Sequence, residues 1–246
     1  QIEEIGAREV YIATIPHVTI PPVSRGISLN QVQELSDDGY YEFYTHFWVW
    51  DTDFRKNPQK YPFLTRTEAR EIDQTIDEYN VMLRRESQRR GWHLVDISSQ
   101  LDLLAFRRQK GQPQYQFPAE LITALRANPH TKERFTAAGQ PILDTRYLRF
   151  NRQARRPDMK YQGGIISLDG IHPTTIAYGL IADNFLKVMQ QETNTKVLNQ
   201  LNWQEIVQKD SLINQLPPNL SSLQDTLGFL YSQRILLSLI QGFSPA

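Results

Sequence analysis

Apolar residues recur at steps of three and four over Ala69, Ile72, Ile76, Tyr79 and Leu83, the period of a helix that buries one face. Thr65-Arg66-Thr67-Glu68 precedes them and has the form of a capping box, with Thr65 as the cap and Glu68 reaching back to it. Gly91 follows the last turn, so the pattern predicts a long helix ending near Arg90. Two short, mostly apolar runs flank it, residues 9–15 and 92–97. Their β-branched content and length predict strands of a parallel sheet joined through that helix. Pro16, Pro21 and Pro22 stop the first run and force a loop. Open α/β sheets bind ligands beyond the carboxyl ends of their strands, which makes this loop a candidate pocket wall.

Further along, Ile176, Ala177, Leu180, Ile181 and Val188 repeat the helical period behind Pro173, a residue suited to a first helical turn. Residues 1–7 read as the end of a helix bounded by Gly6, and residues 99–108 and 118–127 as short helices. Residues 199–246 read as a helical tail divided at Leu216-Pro217-Pro218. Leu223, Leu227, Leu230, Ile235 and Leu239 give it apolar faces, which are expected to pack back on the domain. Asp96 and Asp102 lie near the end of the second strand and read as helix caps or solvated carboxylates.

Residues 24–64 lack a clear period and are rich in rings, most densely Tyr40-Tyr41-Glu42-Phe43-Tyr44-Thr45-His46-Phe47-Trp48-Val49-Trp50. So long a connection carries its own structure or a function. Three readings stay open: a satellite core, a cap over an apolar substrate pocket, and a base-stacking platform, the last weakened by sparse neighbouring cations.

Composition narrows the function. Lys+Arg and Asp+Glu balance at 27 each, so no global field draws nucleic acid or an anionic membrane. With no cysteine in the chain, disulfides, thiolate metal sites and a cysteine nucleophile are excluded, while the compartment stays open. No apolar run has the length of a membrane span. Arg146, Arg149, Arg152, Arg155 and Arg156 crowd a polar stretch over residues 128–162. It reads as solvated surface rather than an anion patch, because the run lacks a Gly-rich phosphate loop.

The chemistry concentrates in Gly163-Gly164-Ile165-Ile166-Ser167-Leu168-Asp169-Gly170-Ile171-His172-Pro173. An acid and a histidine three residues apart, in a Gly-flanked turn before a helix, allow three readings. Asp169 can cap the helix beside a structural histidine. The pair can belong to a metal site, although two ligands are too few and His17, His46, His93 and His130 show no ligand spacing. Or Asp169 orients His172 as the general base of a nucleophilic hydrolase.

Asp169-Gly170-Ile171-His172-Pro173, followed by Ala177-Tyr178-Gly179-Leu180-Ile181-Ala182, closely resembles the last signature block of the SGNH, or GDSL, ester hydrolases. Gly6-Ala7-Arg8-Glu9-Val10-Tyr11-Ile12 with Ile15-Pro16 and Pro21-Pro22 resembles a later strand of that family's sheet with its Pro-rich loop. Tyr79-Asn80 and Leu94-Val95-Asp96 fall where the family has its next strand–helix unit. The resemblance covers about residues 2–189, with residues 24–64 as an insertion.

The resemblance implies His172 as general base and Asp169 as the residue that orients it. It implies a serine acyl-enzyme route on a small-molecule ester or acyl substrate, with no metal or organic cofactor. The family's nucleophile and oxyanion donors lie in Gly-Asp-Ser and Gly-x-Asn-Asp blocks, and neither occurs here. Lys209-Asp210-Ser211-Leu212 lacks the glycine and follows the Asp/His block, which argues against Ser211 as nucleophile. A doubly wound domain needs about five parallel strands, whereas two are convincing here, with a short third at Ile165-Ile166. The expectation is therefore a partial flavodoxin-like, three-layer α/β/α fold whose parallel sheet lacks its N-terminal strands. Residues 1–192 would be the C-terminal part of the hydrolase-like domain and residues 193–246 a helical extension. The rival is a non-catalytic binding module on the same scaffold, with the aromatic insertion as its surface.

Overall fold

The computed structural model describes residues 2–29, 39–105, 115–151, 153–193 and 201–215. The fold is mixed α/β. After a 3-10 turn at Glu3–Ile5 and Gly6 in the left-handed region, strand β1 (Tyr11–Ala13) pairs in parallel with β5 (His93–Val95), Ile12 opposite Leu94. Among the described residues this sheet has two strands, so the other edge of β1 is unpaired. Both strands are mainly half-buried; only Val95 is fully inside.

The aromatic-rich segment builds its own small sheet. Strands β2 (Arg25–Ile27), β3 (Phe43–Thr45) and β4 (Phe63–Thr65) are antiparallel in that order, with helix α1 (Asp51–Lys56) between β3 and β4. Its rings fill satellite cores, as one of the open readings has it. Phe54 is fully buried, with Phe43 and Phe63 packed on it at centroid distances of 5.6 and 5.7 Å. Tyr40, Tyr41 and Tyr44 pack against Ala69.

Helix α2 (Arg66–Arg90) begins in the predicted capping box, Thr65 Oγ1 accepting the Glu68 N–H and the Glu68 carboxylate accepting the Thr65 N–H. It ends at Gly91, φ 67°. Its buried face is not wholly apolar. Asp73 and Asn80 are inside, whereas Tyr79, assigned to that face from sequence, is half exposed. The reason is the loop after β1, which runs antiparallel along α2 and bonds it through alternate residues. Ile15 exchanges two hydrogen bonds with the Asn80 amide at 2.7 and 2.8 Å. His17 Nε2 lies 2.9 Å from Asp77, and Thr19 Oγ1 donates to Asp73 at 2.5 Å. Polar side chains on successive helix turns therefore satisfy the loop.

Asp96 caps helix α3 (Ile97–Leu104), accepting the Ser99 N–H at 3.3 Å. Asp102 does not lie in solvent alone; it approaches His17 Nδ1 at 3.4 Å. Helix α4 (Ala119–Ala127) follows, then β6 (Arg149–Phe150), helix α5 (Pro157–Lys160) and β7 (Tyr161–Gln162), with β6 and β7 antiparallel. The stretch read as solvated surface is partly core: Arg134, Leu143, Asp144, Thr145 and Leu148 are each at most 3% exposed. Arg146 bonds Asp144 through two donors, and Arg134 bonds two main-chain carbonyls through Nη2 while its Nε and Nη1 are buried without an acceptor.

Helix α6 (Thr175–Thr193) starts two residues beyond Pro173, which instead forms an isolated antiparallel bridge with Ile166. The short strand expected at Ile165-Ile166 is reduced to that bridge. Helices α7 (Trp203–Lys209) and α8 (Ser211–Asn214) belong to the extension and join the main core. There Trp203, Val207 and Ile213 meet Leu121 and Leu125 of α4 and Ile176 and Leu180 of α6. The tail beyond Gln215, with Leu216-Pro217-Pro218 and the five apolar positions after it, lies outside the described residues.

Candidate active site

Residues 165–174 form a tight hairpin-like turn. Ser167 N–H donates to the His172 carbonyl at 2.8 Å and Thr174 N–H to the Ile165 carbonyl at 2.9 Å, while Gly170 N–H closes the tip on Ser167. Gly170 has φ 76°, and a side chain there would meet Val23 N at 3.0 Å and the Phe47 ring at 3.1 Å. No other residue fits the tip without moving its floor.

Asp169 and His172 come together in this turn. Asp169 Oδ2 lies 2.5 Å from His172 Nδ1. Oδ1 accepts three further bonds, from Ser167 Oγ at 2.7 Å, Ile171 N–H at 2.9 Å and His172 N–H at 3.0 Å. Desolvation pushes this carboxyl upward, but the donors Ile171, Ser167 and His172 outweigh it and hold Asp169 far below the usual carboxylate range. An ionised carboxylate only accepts, so Nδ1 of the imidazole is the donor in this contact and Nε2 is the ring nitrogen left for another partner. The side chains are exposed, 68% for His172 and 47% for Asp169.

The turn is anchored from below by residues the sequence did not single out. Arg134, 1% exposed, donates from Nη2 to the Gly163 carbonyl at 2.8 Å and the Ile142 carbonyl at 3.2 Å. Burial brings its guanidinium down to about 10, opposed by Asp144, Tyr161 and Asp210. Thr174 Oγ1 donates to the Gly164 carbonyl at 2.8 Å and accepts the Ala177 N–H at 3.4 Å, capping α6. Asp210 caps the same helix through Ile176 N–H. Thr174 had a sequence signal, a threonine just ahead of a helical period; Arg134 and Asp210 had none, because they act from remote segments. Asp210 is also the buried cap of α8, and Ser211 beside it is exposed.

Ile171 and Pro173, on either side of His172, line an apolar cleft of about 170 Å³. Pro16, Pro21, Leu101, Leu104 and Leu180 line it as well. The Pro-rich loop is thus a pocket wall, held by its bonds to α2. None of the described residues of the aromatic segment lines this cleft. The segment's Tyr41, Phe47 and Trp50 line a separate cavity of about 390 Å³.

No serine hydroxyl bonds His172 Nε2 among the described residues, and no cluster of three His, Asp or Glu side chains there is arranged to hold a metal ion. No described helix is long and apolar enough to cross a membrane. No family model, curated protein or solved structure matches the chain.

Proposed function

We propose that the protein is an ester or acyl hydrolase of the SGNH type, with Asp169 and His172 as the orienting acid and general base. The reading requires a nucleophilic serine, which none of the described residues presents to His172. The observation that carries the reading is the Asp169–His172 contact of 2.5 Å, with Oδ1 tied to three donors, beside an apolar cleft. That geometry fixes the tautomer and leaves Nε2 able to take a serine proton and return it to the leaving group. The cleft suits an apolar acyl or alcohol portion of a small ester.

The matching architecture is a flavodoxin-like three-layer sandwich in which β1 and β5 are neighbouring strands. Parallel pairing of β1 with β5 through α2 supports it, as does the edge of β1 that has no partner strand among the described residues, where a further strand would dock. The rival, a non-catalytic binding module, takes support from the aromatic-walled cavity, which is separate from the cleft.

The test is p-nitrophenyl acetate hydrolysis by the protein together with its serine-bearing segment. His172→Ala lowers kcat/KM by about 10³-fold or more, and wild-type turnover in that variant overturns the assignment. Residues 1–246 alone give negligible turnover.

A further inference from the structure

Three guanidinium groups from two distant parts of the chain converge on the larger cavity, of about 390 Å³. Arg25 enters from β2, and Arg146 and Arg149 from the end of the long loop and β6, between the flat walls of Tyr41, Trp50 and Tyr147. Arg146 is clamped from behind, Nε and Nη2 donating to Asp144 at 3.1 and 2.7 Å, and Asp144 is 3% exposed. Arg25 bonds Asp51 and the Val49 carbonyl through its two terminal nitrogens, while its Nε is buried without an acceptor. Arg55 also bonds Asp51, so the carboxylates of Asp51 and Asp144 are outnumbered by the guanidiniums around them. Arg149 makes no ion pair with a carboxylate among the described residues; its charged neighbours are Arg25, Arg146 and Asp51. A cation beside two like charges, in a concave site with rigidly held partners, is an unmet demand for an anion.

We propose that this cavity binds a small organic anion, its carboxylate or phosphoryl group paired with Arg149 between Arg25 and Arg146 and its body against Trp50. A guanidinium fork matches the paired oxygens of both groups. The cavity volume and ring walls suit a compact molecule rather than a polymer. The site adjoins the Asp169–His172 turn: Pro22 and Phe47 line it, Phe47 packs under Gly170, and Val23 N–H donates to the Gly170 carbonyl at 3.0 Å. That the anion is the acidic part of a hydrolase substrate rests on the function proposed above; the binding itself does not.

The experiment is titration of residues 1–246 with inorganic phosphate and, separately, benzoate at constant ionic strength, read by calorimetry and tryptophan fluorescence. At least one probe binds saturably, Arg149→Ala weakens it about tenfold or more, and Arg149→Lys weakens it less. Phosphate alone assigns a phosphoryl group, benzoate alone a carboxylate. Arg85→Ala, at an exposed position on α2, leaves affinity unchanged. Arg149 is exposed on a two-residue strand, and melting temperatures check that its variants fold. Absence of saturable binding by both probes, or equal loss in Arg149→Ala and Arg85→Ala, overturns the proposal. Because no turnover is needed, the outcome is independent of whether the chain supports hydrolysis.

Discussion

Asp210 Oδ2 accepts the Ile176 N–H at 3.0 Å, so a carboxyl 34 residues downstream caps the helix that supports His172. Its Oδ1 takes the Ile213 N–H at 3.2 Å, fastening α6 to α8 with one side chain. Asp210→Ala leaves both N–H groups unpaired in the core and is expected to destabilise the fold by about 2–4 kcal/mol. Urea unfolding followed by circular dichroism measures it. A change below about 0.5 kcal/mol would mean that solvent replaces the cap at no loss.

Asp169→Asn places an amide where the carboxylate accepts the Nδ1 proton. Nitrogen NMR of the neutral ring should show the proton on Nδ1 in the wild type and a shifted tautomer balance in the variant. On the proposed hydrolase function the same change lowers kcat by roughly 10³–10⁴-fold. An unchanged tautomer ratio would remove Asp169 from the orienting role.

His17 predicts a pH dependence of stability. Asp102 raises its pKa most, the charge of Asp73 and the Asp77 contact add to that, and desolvation opposes them. Asp102 outweighs the shorter Asp77 contact because Asp77 is the more exposed, 62% against 36%, and hence more screened. With the folded value above the unfolded one, the contribution of His17 is complete below about pH 6.5 and fades as pH rises through the raised value. His46 is shifted the other way by burial, so the comparison must be between wild type and His17→Gln at each pH. The wild-type advantage is expected to be larger at about pH 5.5 than at about pH 8.5; the opposite order would refute the assignment.

Asn80→Ala removes both bonds to Ile15 and orphans a main-chain N–H and carbonyl beside α2. The expected loss is about 2–3 kcal/mol in unfolding free energy. Asn80→Asp, which keeps the acceptor and loses the donor, is expected to fall between. Equal stability of all three proteins would show that the loop is not held there.

Gly170→Ala puts a side chain at φ 76° and within 3.1 Å of Phe47 and Val23. About 1–2 kcal/mol of destabilisation is expected from the left-handed backbone and the displaced floor. The amide resonances of Asp169 and His172 should shift with it. Unperturbed resonances would show that the tip adapts without moving the pair.

What is encoded locally was legible in the sequence. The Thr65/Glu68 box and the Gly91 stop depend on neighbours a few residues apart, and so does the meeting of Asp169 and His172; the flanking strands show as short apolar runs, although their pairing spans 82 positions. What failed depended on distant partners. The helical period places Tyr79 inside, whereas Asn80 takes the buried place, because the loop that rewards a buried amide is 65 residues away. The stretch over residues 128–162 reads as solvated from its charges, yet part of it is core, because the pairing of Asp144 with Arg146 and the Arg134 bonds to carbonyls place charge in the interior. Pro173 was assigned to the helix, but its bridge to Ile166 draws it into the turn instead.

The contacts along α2 also set an order of events in folding. They join residues 65, 60 and 54 positions apart, and closing loops of that length is a slow, entropically costly step. The β2–β3–β4 sheet lies within those loops and can form beforehand, shortening the remaining search. Once one contact closes, the other two have nearly adjacent ends and follow at little further entropic cost. The wall of the cleft beside His172 therefore closes after the aromatic sheet has formed, and a fault in that sheet would be felt there.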